Sequence, residues 1–127
     1  MTENEIAKVI VDVAFKVHTT FGPGLFEIVY ETVMAYELQK RGLTVQRQLP
    51  IPLHYETVHM QEGFRADLII EAKVIVEIKS VEDIAPVHRK QLLTYLRLAD
   101  KRLGLLINFN VDLIKDGIWR IVNGLKE

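Results

Sequence analysis

The chain contains no cysteine among its 127 residues. A disulfide framework, a cysteine-bound zinc site and an iron–sulfur cluster held by cysteines are therefore excluded. A chain of this length buries roughly two-thirds of the surface that its unfolded form exposes, so it needs none of these supports. We expect one domain over residues 1–127.

Long apolar runs and an excess of basic charge are also missing. The longest uncharged apolar stretch, residues 103–111, is well short of the roughly 20 residues that cross a bilayer. The first residues are polar and include Glu3 and Glu5, unlike a secretory signal. We therefore expect a cytoplasmic protein with no membrane partner. The formal net charge of -1 means that binding of nucleic acid would need a local patch or a bound cation.

Helical periodicity is clearest at the start of the chain. A capping-box pattern at Thr2 and Glu5, followed by apolar residues at helical spacing, predicts a helix over residues 3–19. Glycines and a proline then interrupt it, and a second helix is expected from about residue 25 to Gly42. A third helix should begin at Pro86 and end near residue 101.

The remaining segments have the β-branched and aromatic content of strands. Pro50 and Pro52 confine the first of them to a sheet edge or a bend. The predicted strands are residues 45–48, 51–55, 64–70, 74–81, 103–109 and 118–122. This order of elements predicts one α/β domain with helices packed on a central sheet.

Two acidic residues are predicted to meet in the hairpin formed by residues 64–81. Alternation places Glu77 and Lys79 on one face of its second strand and only apolar residues on the other. It also places Asp67 on the same face as Arg65 and Ile69. If the turn has an odd number of residues, Asp67 and Glu77 lie directly opposite, with β-carbons about 4.5–5.5 Å apart.

Such an acidic pair needs either a shared proton or a divalent cation, because two like charges this close repel. Carboxylate oxygens suit magnesium or manganese. Lys79 would stand beside the pair, where it can stabilise a developing negative charge or position a water molecule. The alternative is that Glu77 and Lys79 belong to a solvated strand face, the commoner meaning of an isolated E-x-K.

The order of Asp67, Glu77 and Lys79 resembles the D…(D/E)-x-K signature of the PD-(D/E)xK nuclease superfamily. In the helix that follows, Gln91 and Tyr95 form a Q-x-x-x-Y element similar to that of RecB-like nucleases. The superfamily usually has proline before the first acidic residue, whereas Ala66 precedes Asp67 in this chain.

A further motif lies at the start of the second helix. Gly24, Glu27 and Tyr30 match the G-x-x-E-x-x-Y pattern that names a bacterial and archaeal family of small proteins in the same superfamily. The resemblance implies a restriction-endonuclease-like α/β fold, with a three-layer core in which a mixed central sheet is flanked by helices.

The same resemblance implies roles for individual residues. Asp67 and Glu77 would hold Mg²⁺ or Mn²⁺, Glu27 would be an additional acidic ligand, and Lys79 would assist the attacking water. The alternative for Glu27 is an acidic residue in the first turn of a helix, where the helix dipole favours it.

Four further side chains follow from the same motifs. Gln91 and Tyr95 would orient the metal site or the nucleic-acid backbone, and His18 would lie near Glu27 at the mouth of the site. Tyr30 belongs to the motif, and its alternative role is packing in the core.

The implied activity is metal-dependent hydrolysis of phosphodiester bonds, in DNA ahead of RNA. The alternative is a nuclease-fold module that binds nucleic acid or a partner protein without cleaving, because a fold does not determine a function. The small size leaves substrate selection to a homodimer or a partner protein. The basic residues of the third helix are either a phosphate track or a solvated surface.

Overall fold

The computed structural model describes residues 1–126. Three helices and five strands follow one another in the order that the sequence predicts. They are α1 (Glu3–Phe21), α2 (Glu27–Lys40), β1 (Val45–Tyr55), β2 (Val58–Ile70), β3 (Val74–Lys79), α3 (Pro86–Ala99), β4 (Leu103–Asn108) and β5 (Ile118–Val122), with a short 3-10 turn (Ile114–Gly117) before β5.

The five strands form one mixed sheet in the order β1-β2-β3-β4-β5. The first three strands pair antiparallel, β4 is parallel to β3, and β5 is antiparallel to β4. Because parallel neighbours need a crossover connection, the chain leaves the sheet after β3 and returns through α3. The mixed sheet predicted from the sequence is confirmed.

The sheet separates two apolar layers, so the domain has the three layers that were predicted. On one face, α1 and α2 pack against residues such as Val76 and Leu105. On the other face, α3 packs Leu92 and Leu96 against Ile75 and its neighbours. Burial on both faces explains why β3 and β4 are almost continuously apolar. Within residues 1–126, none of the helices has the length and apolar character needed to cross a bilayer.

The edge hairpin is longer than the sequence predicts. β1 is one strand that continues through Pro50 and Pro52, and β2 begins at Val58 rather than near residue 64. Proline is tolerated in an edge strand, since such a strand pairs on one side only. Residues 58–63 of β2 are all exposed, so they carry no apolar alternation from which the start of this strand could be predicted.

The loop between α1 and α2 is fastened to the core by Tyr30. Its hydroxyl donates a hydrogen bond to the carbonyl oxygen of Gly22 (2.6 Å) and accepts one from the N–H of Leu25 (3.2 Å). The ring is fully buried and stacks on Phe109, with the centroids 4.4 Å apart. Gly22 caps α1 with a φ of 68°, a left-handed value that favours glycine. The start of α2 therefore has a fixed position relative to the core.

We expect Tyr30→Phe to lower the free energy of unfolding by about 1–2 kcal/mol, because the loop loses both hydroxyl hydrogen bonds while the stacked ring remains. Urea denaturation measures the change. Tyr36→Phe on the exposed face of α2 is the matched control and should alter stability by less than about 0.5 kcal/mol. Equal stability of the Tyr30 variant and the wild-type protein would show that the hydroxyl does not hold the loop.

Candidate active site

Asp67 and Glu77 lie next to each other where β2 and β3 begin to separate. The last backbone pair before them is Leu68 with Val76, in the register expected for a turn with an odd number of residues. Beyond that pair, backbone N–H groups of the two strands donate hydrogen bonds to the two carboxylates. The N–H of Asp67 donates to Oε2 of Glu77 (3.1 Å), and the N–H of Ile78 donates to Oδ2 of Asp67 (2.9 Å).

The predicted alternation along β2 is wrong at Asp67. Ala66 packs in the layer under α3 and Leu68 in the layer under α1 and α2, although residues two apart on a regular strand share a face. The facing β1 residue, Gln48, has a left-handed φ of 48°. The regular alternation of side chains between the two faces of the sheet is thus broken at this point. As a result, Asp67 lines a cleft under α2 whereas Ile69 packs under α3.

Burial dominates the electrostatics of Glu77. The side chain is almost completely enclosed, and the loss of hydration, followed by the adjacent charge of Asp67, raises the pKa of Glu77 to about 9. The N–H of Asp67 and the charge of Lys79 act in the opposite direction but are weaker. Without a cation, Glu77 therefore holds a proton at neutral pH.

Lys79 is half-buried at the end of β3. Its charge lowers the pKa of Glu77, which places the ammonium group within electrostatic reach of that carboxylate. Its backbone is held by β4, because Lys79 pairs with Asn108 and its carbonyl oxygen accepts a hydrogen bond from the N–H of Phe109 (3.0 Å). The strand thus delivers a cationic side chain whose charge acts on the Glu77 carboxylate.

Glu27 approaches from the first turn of α2. Its Oε1 accepts a hydrogen bond from the N–H of Ser80 (3.3 Å), directly after β3. Glu27 and Asp67 line the same cleft of about 280 Å³. The part of the chain that the structure describes, however, contains no group of three or more His, Cys, Asp or Glu side chains that could hold a metal ion. The predicted ligands Asp67, Glu77 and Glu27 therefore do not form a compact set of three.

The two predicted residues of α3 differ in their surroundings. Tyr95 is half-buried and stacks on Phe64, with ring centroids 3.9 Å apart. Burial, and then the charges of Glu77 and Asp67, raise the pKa of its hydroxyl, so Tyr95 lies within reach of the acidic pair. Gln91, one helical turn earlier, is exposed to solvent.

His18 and Tyr30 have structural contacts. The Nε2 of buried His18 donates a hydrogen bond to the carbonyl oxygen of Val111 (2.8 Å) and so ties α1 to the segment after β4. His18 lines a cleft with Gly22, whereas Glu27 lines other clefts. The position of His18 near Glu27 at the mouth of the site stays a prediction. Tyr30 lies in the core, the alternative considered for it.

A hydrogen-bonded network behind Asp67 was missed by the sequence analysis. The side-chain amide of Gln48 donates to Oδ1 of Asp67 (3.2 Å) and to Oε1 of Glu31 in α2. Glu31 is buried and forms an ion pair with Arg47 (3.0 Å). The position of Glu31 one helical turn after Glu27 was the available signal. The left-handed backbone of Gln48 left no sign in the sequence pattern.

A second missed residue is Asn108, at the end of β4. Its fully buried side chain donates to the carbonyl oxygen of Val81 (2.9 Å) and accepts from the N–H groups of Val81 (3.1 Å) and Asn110 (3.2 Å). These bonds fix the segment that follows β3 and hence the position of Lys79. An amide inside a strand that is otherwise apolar was the signal that could have identified it.

The donor chemistry of the Asp67–Glu77 pair fits a hard divalent cation. Mg²⁺ is commonly bound by one or two carboxylates, with water and substrate phosphates completing the shell. The pair offers oxygen donors from two adjacent side chains, and the raised pKa of Glu77 is the expected behaviour of such a pair when no cation offsets its charge. A compact third ligand is not required for this mode of binding.

Comparison with known proteins gives one finding. The family model of the PD-(D/E)XK nuclease superfamily matches residues 4–121, nearly the whole chain. No curated protein and no solved structure matches the chain. The five-stranded mixed sheet with three helices agrees with the restriction-endonuclease-like fold of that superfamily. The finer resemblance to the G-x-x-E-x-x-Y family stays a prediction.

The raised pKa of Glu77 predicts that Glu77→Gln stabilises the metal-free protein at alkaline pH. The folded protein retains a proton that the unfolded chain loses above the ordinary glutamate pKa of 4.5. The stability of the wild-type protein should therefore fall as the pH rises from about 4.5 to 9. Glutamine resembles the protonated acid, so the variant should be similar in stability at pH 5 and more stable by about 2 kcal/mol or more at pH 8.

Urea denaturation in EDTA at several pH values measures this difference. Glu62→Gln is the control, since Glu62 is exposed and its pKa is lowered by a hydrogen bond from Arg65. That variant should show no gain in stability as the pH rises. A stability difference between Glu77→Gln and wild type that does not change with pH would rule out a buried proton on Glu77.

Proposed function

Because the chain belongs to the PD-(D/E)XK nuclease superfamily, we propose that it is a metal-dependent nuclease that hydrolyses phosphodiester bonds, in DNA ahead of RNA. The observation that carries this proposal is the adjacent pair Asp67 and Glu77, with the charge of Lys79 acting on Glu77. These are the three motif residues, and the contact between Asp67 and Glu77 supports a shared role for them.

Asp67 and Glu77 would hold the divalent cation that members of this superfamily typically use. When bound, such a cation polarises the phosphodiester and lowers the pKa of nearby water. Glu77 must release its proton to act as a ligand. Gln48 and the N–H of Ile78 hold the Asp67 carboxylate in place, which supports a role for these two groups in positioning it.

Lys79 would stabilise the negative charge that develops on the phosphoryl oxygens and position the attacking water. Its half-buried location suits this role, because a charge interacts more strongly where water is partly excluded. Tyr95 would orient the substrate or the acidic pair from α3. Glu27, at the other side of the shared cleft, would contribute through water.

Nucleic acid is the substrate class that this chemistry implies. The chain has almost no net charge, so attraction of a polyanion must be local. α3 carries exposed Arg89, Lys90 and Arg97 on the same helix as Tyr95, which supports a phosphate track leading towards the acidic pair. Selection of the substrate by a homodimer or a partner protein stays a prediction.

A second candidate is a nuclease-fold module that binds nucleic acid without cleaving it. The observation that favours it is the hydrogen bond from Ser80 to Glu27, which holds the third predicted ligand away from a compact metal-binding set. The presence of all three motif residues favours the enzyme.

We expect Lys79→Met to lower the turnover of nucleic-acid cleavage by about 100-fold or more, because the charge that stabilises the transition state is lost while the apolar stem is kept. Cleavage of single- and double-stranded DNA and RNA in Mg²⁺ or Mn²⁺, with EDTA as the blank, measures the effect. The matched control is Lys73→Met, an exposed lysine in the β2–β3 turn. Its activity should remain that of the wild type.

Thermal unfolding of both lysine variants separates loss of catalysis from loss of the fold. A folded Lys79 variant that cleaves as fast as wild type would remove Lys79 from the mechanism. A wild-type protein that binds nucleic acid in Ca²⁺ but cleaves no substrate in Mg²⁺ or Mn²⁺ would favour the binding module.

A further inference from the structure

An exposed aromatic side chain stands directly beside the candidate active site. Phe26 is the residue before α2, immediately preceding Glu27, and 82% of its surface is accessible to solvent. Leu25 and Ile28 on either side are also large, apolar and exposed. Single exposed apolar residues are common, but several together next to a polar cleft mark a binding surface.

The backbone around Phe26 is held by hydrogen bonds on both sides. The Tyr30 hydroxyl bonds to the N–H of Leu25, and the Ser80 hydroxyl donates to the carbonyl oxygen of Leu25 (2.7 Å). On the other side, Glu27 accepts from the N–H of Ser80. The fold therefore holds the backbone that carries the exposed phenyl ring at a fixed place beside the end of β3, where a ligand would meet the ring without reorganisation of the loop.

A cleft of about 600 Å³ adjoins this ring. Phe26 and Leu25 give it an apolar side, whereas Glu27, Ser80 and Asn110 give it polar groups. Its volume is within the range of pockets that take small organic ligands. Asn110 offers an amide, which can both donate and accept hydrogen bonds. Since Glu27 also lines the cleft that contains Asp67, the two clefts meet at Glu27.

We propose that this cleft, the Phe26 cleft, receives one unpaired nucleobase, stacked on the Phe26 ring while the adjoining phosphate lies at Asp67 and Glu77. A flat ring with polar edges matches one aromatic wall and a polar rim, and stacking on an aromatic side chain is independent of base identity. A base inside a duplex is already stacked on its neighbours, so Phe26 favours single strands and unpaired ends over intact duplex. This inference rests on the proposed function and specifies its substrate class.

Fluorescence anisotropy with labelled oligonucleotides in Ca²⁺ tests the proposal separately from cleavage. The ligands are a single strand, a blunt duplex and a duplex with a single-stranded overhang. We expect Phe26→Ala to bind the single strand about tenfold more weakly than wild type, with a smaller change for the blunt duplex. If Phe26→Ala also loses affinity for the duplex with the overhang, an unpaired end is sufficient for binding at Phe26. If the variant loses affinity for the single strand alone, binding at Phe26 requires a free single strand.

Two further variants control for folding and for general exposure. Phe26→Trp should retain affinity, and its emission should be quenched when a base stacks, whereas wild type reports only on Trp119. Tyr55→Ala removes another exposed aromatic side chain, at the end of the β1–β2 hairpin, and should leave affinity unchanged.

The proposed role of the Phe26 cleft is refuted if Phe26→Ala binds the single strand as tightly as wild type. It is also refuted if Phe26→Ala and Tyr55→Ala weaken binding equally, or if wild type binds none of the oligonucleotides. If the wild-type protein cleaves nucleic acid but its affinity does not depend on Phe26, the proposed nuclease activity is supported and the proposed base binding in the Phe26 cleft is contradicted. Conversely, Phe26-dependent binding without cleavage in Mg²⁺ or Mn²⁺ would support the cleft and contradict the nuclease.

Discussion

The close approach of the Asp67 and Glu77 carboxylates is the constraint on which the rest of this structure depends. Desolvation, followed by repulsion from the adjacent charge of Asp67, opposes ionisation of Glu77 and raises its pKa to about 9. Burying Glu77 beside the half-buried Asp67 is unfavourable unless hydrogen bonds, a proton or a cation compensate. The separation of β2 from β3 frees the N–H groups of Asp67 and Ile78 to supply part of that compensation, and Gln48 supplies another part.

The surrounding elements hold the groups that face this pair. Asn108 brackets the segment after β3, the Ser80 hydroxyl and N–H bond to Leu25 and Glu27, and Tyr30 fastens the loop before α2. Each of these bonds joins segments that are distant in sequence. Together they connect α2, β3 and β4 around a small region, so the motif residues share one rigid frame rather than separate loops.

The sequence predicts this arrangement where its patterns are strong. Alternation on β3 and the odd-numbered turn led to the prediction that Asp67 and Glu77 are neighbours, although the alternation assumed for β2 was wrong at Asp67. The break in side-chain alternation at Gln48 and Asp67 was not predictable, because glutamine is not a residue type that signals a left-handed backbone. The bond between His18 and Val111 was not predictable for a related reason, since it depends on how α1 packs against a segment far along the chain.

The central claim is that Asp67 and Glu77 together bind the divalent cation used in cleavage, and location of Mn²⁺ by anomalous diffraction tests it most directly. In crystals grown with Mn²⁺, the account predicts an anomalous peak roughly 2.1 Å from a carboxylate oxygen of each residue. Asp67→Asn crystals should lose that peak. A protein that cleaves nucleic acid in Mn²⁺ while its crystals place the ion elsewhere, or bind it equally well without the Asp67 carboxylate, would contradict the account.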